Sequence, residues 1–140
     1  MPEPDFSINA PVEDDEAISR FLTDEDSFNP TAKRVRHSAF KLPRGKSALS
    51  VYRTKGMVDR EIWDIARRFV TELRPDRKDV LARGDLQACI YKELKLRFSV
   101  DGKPHPRHVN IEGWPLFTED ILALRKELAN KACLVIKSEA

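Results

Sequence analysis

The stretch Lys103-Pro-His-Pro-Arg-His108 gathers two of the three histidines with two cations at a bend between two strand-like segments. Imidazoles that can move a proton near neutral pH, beside cations that can hold a phosphate, are the components of metal-independent phosphodiester cleavage. In that reading His105 and His108 carry the protons, Arg107, Arg97 and Arg53 hold the phosphate, and Lys103 stabilises the developing charge. The same residues also suit the wet face of a sheet. A metal reading would join His105 and His108, three residues apart, with His37 as a third ligand. The helical His-Glu-x-x-His pattern is absent, and no cofactor is expected.

A second constellation is the basic block. Lys33, Arg34, Arg36 and His37, followed by Lys41, Arg44 and Lys46, have Phe40 and Tyr52 nearby, a mixture that suits a phosphate-bearing strand whose bases stack. Residues 1–30 carry nine acids against Arg20 alone, and residues 31–60 carry nine bases against Asp59 alone, so the overall charge of +2 hides segments of −8 and +8. The acidic segment is the first competitor for the basic one. Trp114, between Gly113 and Pro115, can serve as an anchor for a partner or close the core at a strand end. The sequence contains no Gly-rich phosphate loop, no G-x-S-x-G and no G-x-G-x-x-G, which disfavours nucleotide hydrolases, serine hydrolases and dinucleotide enzymes.

The elements that would position these residues follow from periodicity. Residues 1–12 hold three prolines and no period, and read as a flexible arm ahead of one domain over 13–140. Ala17, Ile18, Phe21 and Leu22 behind a run of acids predict a first helix. Asp24 to Lys46 reads as a long loop with a short strand near Val35. Ser47–Arg53 alternates as a strand, with Leu49 and Val51 on one face and Ser50 and Tyr52 on the other. Val58–Leu73 carries the clearest helical stripe, ended by Pro75, and a further helix is expected after Asp85 as N-cap. Leu94–Val100 and Arg107–Ile111 read as paired strands across a loop of about six residues, which would put His108 and Asn110 on the face of Lys95, Arg97 and Ser99. Thr118–Lys131 reads as a last helix and Cys133–Lys137 as a last strand. The expected architecture is α+β, a single domain with a small, mostly antiparallel sheet of about four short strands against about four helices.

No apolar run approaches the roughly 20 residues of a membrane helix, and the acidic, Pro-rich start lacks a secretory signal, so a cytoplasmic protein without membrane contact is expected. Cys89 and Cys133 lack CxxC spacing and read as reduced, buried thiols.

Ile18-Ser-Arg-Phe21, Ser38-Ala-Phe40, Leu49-Ser-Val-Tyr-Arg-Thr54, Glu61-Ile-Trp63 and His105-Pro-Arg-His-Val-Asn-Ile-x-Gly-Trp-Pro115 together resemble a set of small uncharacterised bacterial proteins, over roughly residues 16–130. The resemblance implies a bacterial, stand-alone, single-domain protein and brings no activity with it. The expected function is that of a binding or accessory protein, contacting a phosphate-bearing ligand, a nucleic acid or an acidic partner through the basic loop and the His-Arg bend. The alternatives are a ribonuclease-like phosphodiesterase using His105 and His108, and a homo-oligomeric or toxin-partner interaction protein.

Overall fold

The computed structural model describes residues 10–137. In chain order the elements are β1 (Ala17–Leu22), β2 (Phe28–Asn29), β3 (Arg34–Val35), β4 (Leu49–Arg53), α1 (Asp59–Ala66), β5 (Ala82–Gln87), α2 (Ala88–Glu93), β6 (Arg97–Val100), β7 (His108–Glu112), α3 (Thr118–Lys131) and β8 (Cys133–Ile136). Six strands form one antiparallel sheet in the order β6-β7-β4-β1-β5-β8, and β2 and β3 form a separate two-stranded ribbon.

This corrects the expected four strands and four helices to eight strands and three α-helices among the described residues. The stretch read as a first helix is β1, a strand inside the sheet with β4 on one side and β5 on the other. Both of its faces are covered, so Ile18 and Leu22 are buried on one face while Ser19 and Phe21 are buried on the other. Apolar residues at 17, 18, 21 and 22 then imitate a helical stripe, because a strand buried on both faces loses the clean period of two. Asp85 lies in the middle of β5 and accepts from Ser19 Oγ at 2.7 Å and from Arg83 Nε at 3.0 Å; α2 begins three residues later. The expected arm over 1–12 lies largely outside the described residues, but its last part is docked: Val12 is buried, and the Ala10 and Pro11 carbonyls accept from Arg53.

Ile18, Leu22, Leu49, Val51, Ala82, Leu86, Val109 and Ile111 make one apolar sheet face, packed with Phe40, Tyr91 and Leu128. Burying each large side chain stabilises the fold by about 1.5–3 kcal/mol. The opposite face is covered only in part. There Ile62, Ile65 and Ala66 of α1 pack on Phe21 and Tyr52. The helix loosens into a wider turn over Arg67–Thr71, so Leu73 at the end of the expected stripe is exposed. Beyond α1, the β7 and β6 end of this face is open, and the pairs Ser50↔Asn110 and Ser99↔Asn110 place Ser50, Asn110 and Ser99 together on it. Both thiols are free; Cys89 is half-buried, and Cys133 is exposed because β8 is an edge strand. No helix among the described residues is long and apolar enough to cross a membrane.

Tyr91 supplies a test of the core. Its ring is fully buried, edge-on to Phe98, but its hydroxyl finds no hydrogen-bond partner among the described residues. An unmet buried hydroxyl costs about 1–3 kcal/mol. Tyr91→Phe should therefore raise the melting temperature, measured by calorimetry.

Candidate functional site

The site is built where two strands part. β4 pairs with β7 from Leu49 to Tyr52, but with β1 only at Ile18↔Arg53 and Ser19↔Tyr52. β1 meanwhile stays on β5 along its whole length. Arg20 fills the gap beyond the last β1–β4 pair: its Nε donates to the Ala39 carbonyl at 3.0 Å and its Nη1 to the Ser50 carbonyl at 2.9 Å. The parting strands open a cavity of about 590 Å³. Phe21, Leu22, Leu42, Val70 and Leu73 give it apolar walls, and Arg20, Lys41, Arg44, Arg74, Ser50 and Tyr52 give it polar ones.

The charge in this cavity is unbalanced. Arg20 has no carboxylate within ion-pair distance among the described residues, nor do Lys41 and Arg44. Arg74 pairs with Asp76 at 3.0 Å, and the one acid in the lining, Asp24, is taken by Lys78 at 2.9 Å. Burial pulls the Arg20 guanidinium down to about 10, which leaves it charged at neutral pH. A half-buried cation without its own anion is costly, and an anionic ligand is the group that would meet it.

Ser50 stands in the wall of this cavity and His108 lies behind it, only 5% exposed. The β4–β7 register brings them together by placing Tyr52 opposite His108 and Ser50 opposite Asn110. Ser50 Oγ is hydrogen-bonded to His108 Nε2, and His108 Nδ1 to Asp101 Oδ1 at 2.8 Å. Asp101 comes from the loop between β6 and β7 and is itself fixed, accepting from Asn110 Nδ2 at 2.9 Å and from the Lys103 N–H at 3.3 Å. Burial works against ionisation of Asp101, but the hydrogen bonds from His108, Lys103 and Asn110 prevail and hold its carboxyl below the usual carboxylate range. An ionised Asp101 can only accept, so His108 Nδ1–H donates to it, which leaves Nε2 to accept from Ser50. Tyr52 packs edge-on to the imidazole at 5.2 Å, its phenol pushed up to about 12 by burial and by Asp101.

The residues expected from the sequence are distributed over several surfaces. His108 sits in the relay. His105 turns to another cavity of about 330 Å³ beside α1, where its Nδ1 accepts from the Arg107 N–H at 3.1 Å and its ring meets Phe69 edge-on at 4.8 Å. Arg107 is buried, with Nη1 donating to the Arg53 carbonyl at 3.2 Å. Arg53 makes a buried ion pair with Glu16 at 2.7 Å. Arg97 is exposed on the open end of the sheet, 3.8 Å from Glu112, and Lys103 is exposed in the loop. Trp114 is half-buried against the apolar core, its Nε1 donating to the Ile111 carbonyl at 2.9 Å. Arg34, Arg36 and His37 join Lys126 around a third cavity of about 390 Å³, with Lys33 exposed beside them. His37 Nδ1 accepts from Arg125 Nη2 at 3.1 Å, and burial, with Arg125 and Lys126 nearby, lowers the His37 pKa. Among the described residues no three His, Cys, Asp or Glu side chains gather to hold a metal ion.

Among the described residues the −8 and +8 segments form ion pairs only at Glu16–Arg53 and Asp15–Lys55, and the cations of residues 33–46 have no acid partner there. Three residues that the sequence did not single out, Arg20, Ser50 and Asp101, hold the centre of the site. No family model matches the chain, and no curated protein and no solved structure is found similar to it.

Proposed function

We propose that the protein binds a small phosphate-bearing or carboxylate ligand with an apolar body in the cavity between β1 and β4. The observation that carries this reading is Arg20, a charged side chain in the wall of a roomy cavity that has two backbone carbonyls and, among the described residues, no acid as partners. Lys41 and Arg44, both from the basic loop, and Arg74 add positive charge, and Pro104 of the His-Arg bend completes the rim. Phe21, Leu42 and Val70 would meet the apolar part of the ligand. A volume of about 590 Å³ falls within the range of ordinary small-molecule sites.

Titration calorimetry with inorganic phosphate and with phenyl phosphate tests it. Phenyl phosphate should bind more tightly, because only it uses the apolar wall. Arg20→Met should weaken binding at least about tenfold, the effect of losing charge-assisted hydrogen bonds. Lys41→Ala with Arg44→Ala should weaken it less and reduce its salt dependence. Lys33→Ala, Arg34→Ala and Arg36→Ala together should leave it within about twofold, since these residues lie outside the cavity. Absence of heat with both probes, or equal affinity in Arg20→Met, would exclude the reading.

A further inference from the structure

The relay behind Ser50 has no structural task that requires all three groups. Ser50 sits on the partly open face of β4, and a serine there needs no buried histidine to satisfy it. His108, by contrast, is almost wholly buried, clamped by Asp101 on one ring nitrogen and set against Ser50 on the other. Asp101 is held in turn by Asn110 and by a backbone N–H of its own loop. Each group thus orients the next, and the chain ends on a hydroxyl in the wall of the cationic cavity. That is the order in which an acid, a base and a nucleophile are assembled for acyl transfer, an arrangement recognised by geometry on unrelated folds and in different chain orders.

We infer that Ser50 is the nucleophile of a hydrolase acting on carboxylic esters that carry an anionic group, with His108 as its general base and Asp101 as the positioning residue. This rests on the anion-cavity reading, which supplies the substrate's charge partner, Arg20. Ser50 Oγ attacks the ester carbonyl carbon while its proton passes to His108 Nε2. The C–O bond to the alcohol breaks, and His108 returns the proton to the departing oxygen. Water, deprotonated by the same Nε2, then attacks the acyl-serine, releasing the acid and restoring the Ser50 hydroxyl. Ester and water give acid and alcohol, and no redox partner enters. Arg20 is tied to the carbonyl of Ser50 itself, so the cation that receives the substrate's anionic group is fixed relative to the nucleophile. The absent G-x-S-x-G belongs to a strand-to-helix turn of one fold, whereas this serine lies within a strand and is armed across the sheet.

The test is covalent labelling of the full chain by a fluorophosphonate, followed by intact mass and peptide mapping, alongside turnover of mono-p-nitrophenyl succinate and of neutral p-nitrophenyl acetate. Expected are a single adduct on Ser50 with loss of fluoride, and faster turnover of the anionic ester. Ser50→Ala should remove both adduct and turnover, and His108→Gln should slow labelling at least about 100-fold. Asp101→Asn should slow it at least about tenfold and shift the rate–pH profile, a change that a merely structural role would not produce. Should His108→Gln fail to fold, Ser50→Cys retains the test: its thiol, set against His108, should react with iodoacetamide faster than that of the exposed Cys133. No adduct on wild type, an adduct on another residue, or a Ser50→Cys thiol no faster than Cys133 would overturn the assignment. The two readings fail separately. Phosphate binding lost in Arg20→Met without any Ser50 adduct removes only the hydrolase. A Ser50 adduct with no preference for the anionic ester removes the anion cavity and the anionic substrate class with it, and leaves Ser50 as the nucleophile.

Discussion

Glu16→Gln should destabilise the protein by about 3–5 kcal/mol, the cost of breaking a buried ion pair by removing one charge. Glu16 and Arg53 are each about 3% exposed and meet in a fork, with Arg53 Nε on Oε1 and Nη2 on Oε2, both at 2.7 Å. The guanidinium also donates to the Ala10 and Pro11 carbonyls, and Glu16 Oε2 accepts the Glu13 N–H at 2.7 Å. The pair therefore fastens the segment before β1 to β4, and Glu16→Gln replaces the carboxylate that both Arg53 Nε and Nη2 meet with a neutral amide. In a chain of 140 residues this corresponds to a fall in melting temperature of about 10–20 °C, read by calorimetry. The pH dependence has a defined sign. Burial opposes ionisation of Glu16, but the Arg53 and Glu13 hydrogen bonds and the Arg53 charge prevail, so its folded pKa lies below its unfolded one. The stabilisation is present above the ordinary glutamate range and is lost as pH falls through the folded value. Acid unfolding of wild type should show this loss, and Glu16→Gln should have a flatter profile over the same window.

The parts of this site legible in the sequence are those fixed by alternation within one strand. Leu49 and Val51 opposite Ser50 and Tyr52, and Val109 and Ile111 opposite His108 and Asn110, follow from the period of two, and the structure has both patterns on the expected faces. The turn signals between Val100 and His108 likewise delimit a loop of the expected kind, and the pairing of β6 with β7 follows from its shortness. What joins Ser50 to His108 is the register of β4 on β7, strands 58 residues apart, and nothing local in either strand encodes that pairing. Asp101 reads as half of an Asp-Gly turn; only in three dimensions does its carboxylate fold back onto the histidine. Arg20 lies in the stretch whose spacing predicts a helix and which forms β1. As the one base in an acidic helix it would face solvent, whereas in β1 it alternates onto the core side with Ile18 and Leu22 and must find polar partners at the strand gap.

Adjacent residues of β4 should separate fold from chemistry. Leu49 and Ser50 share one strand but face opposite sides of the sheet. Leu49 is fully buried, opposite Ile111, in the cluster that Phe40, Tyr91 and Leu128 complete. Leu49→Ala removes apolar surface and leaves a void that the flanking strands cannot close, because β4 is held by β7 along its length. The expected cost is about 2–5 kcal/mol, measured by urea unfolding, with the slope unchanged if the native state stays compact. Ser50→Ala deletes one hydroxyl from a cavity wall where water can replace it on His108, and should cost less than about 1 kcal/mol. The two effects should then cross over. Leu49→Ala, assayed well below its unfolding midpoint, should retain reactivity at Ser50, since its side chain lies on the far side of the sheet from that hydroxyl. Ser50→Ala should keep the wild-type midpoint and lose the reactivity. Similar losses of stability in the two variants would mean that the hydroxyl–imidazole–carboxylate chain serves the fold, and the sheet would then have no reactive face.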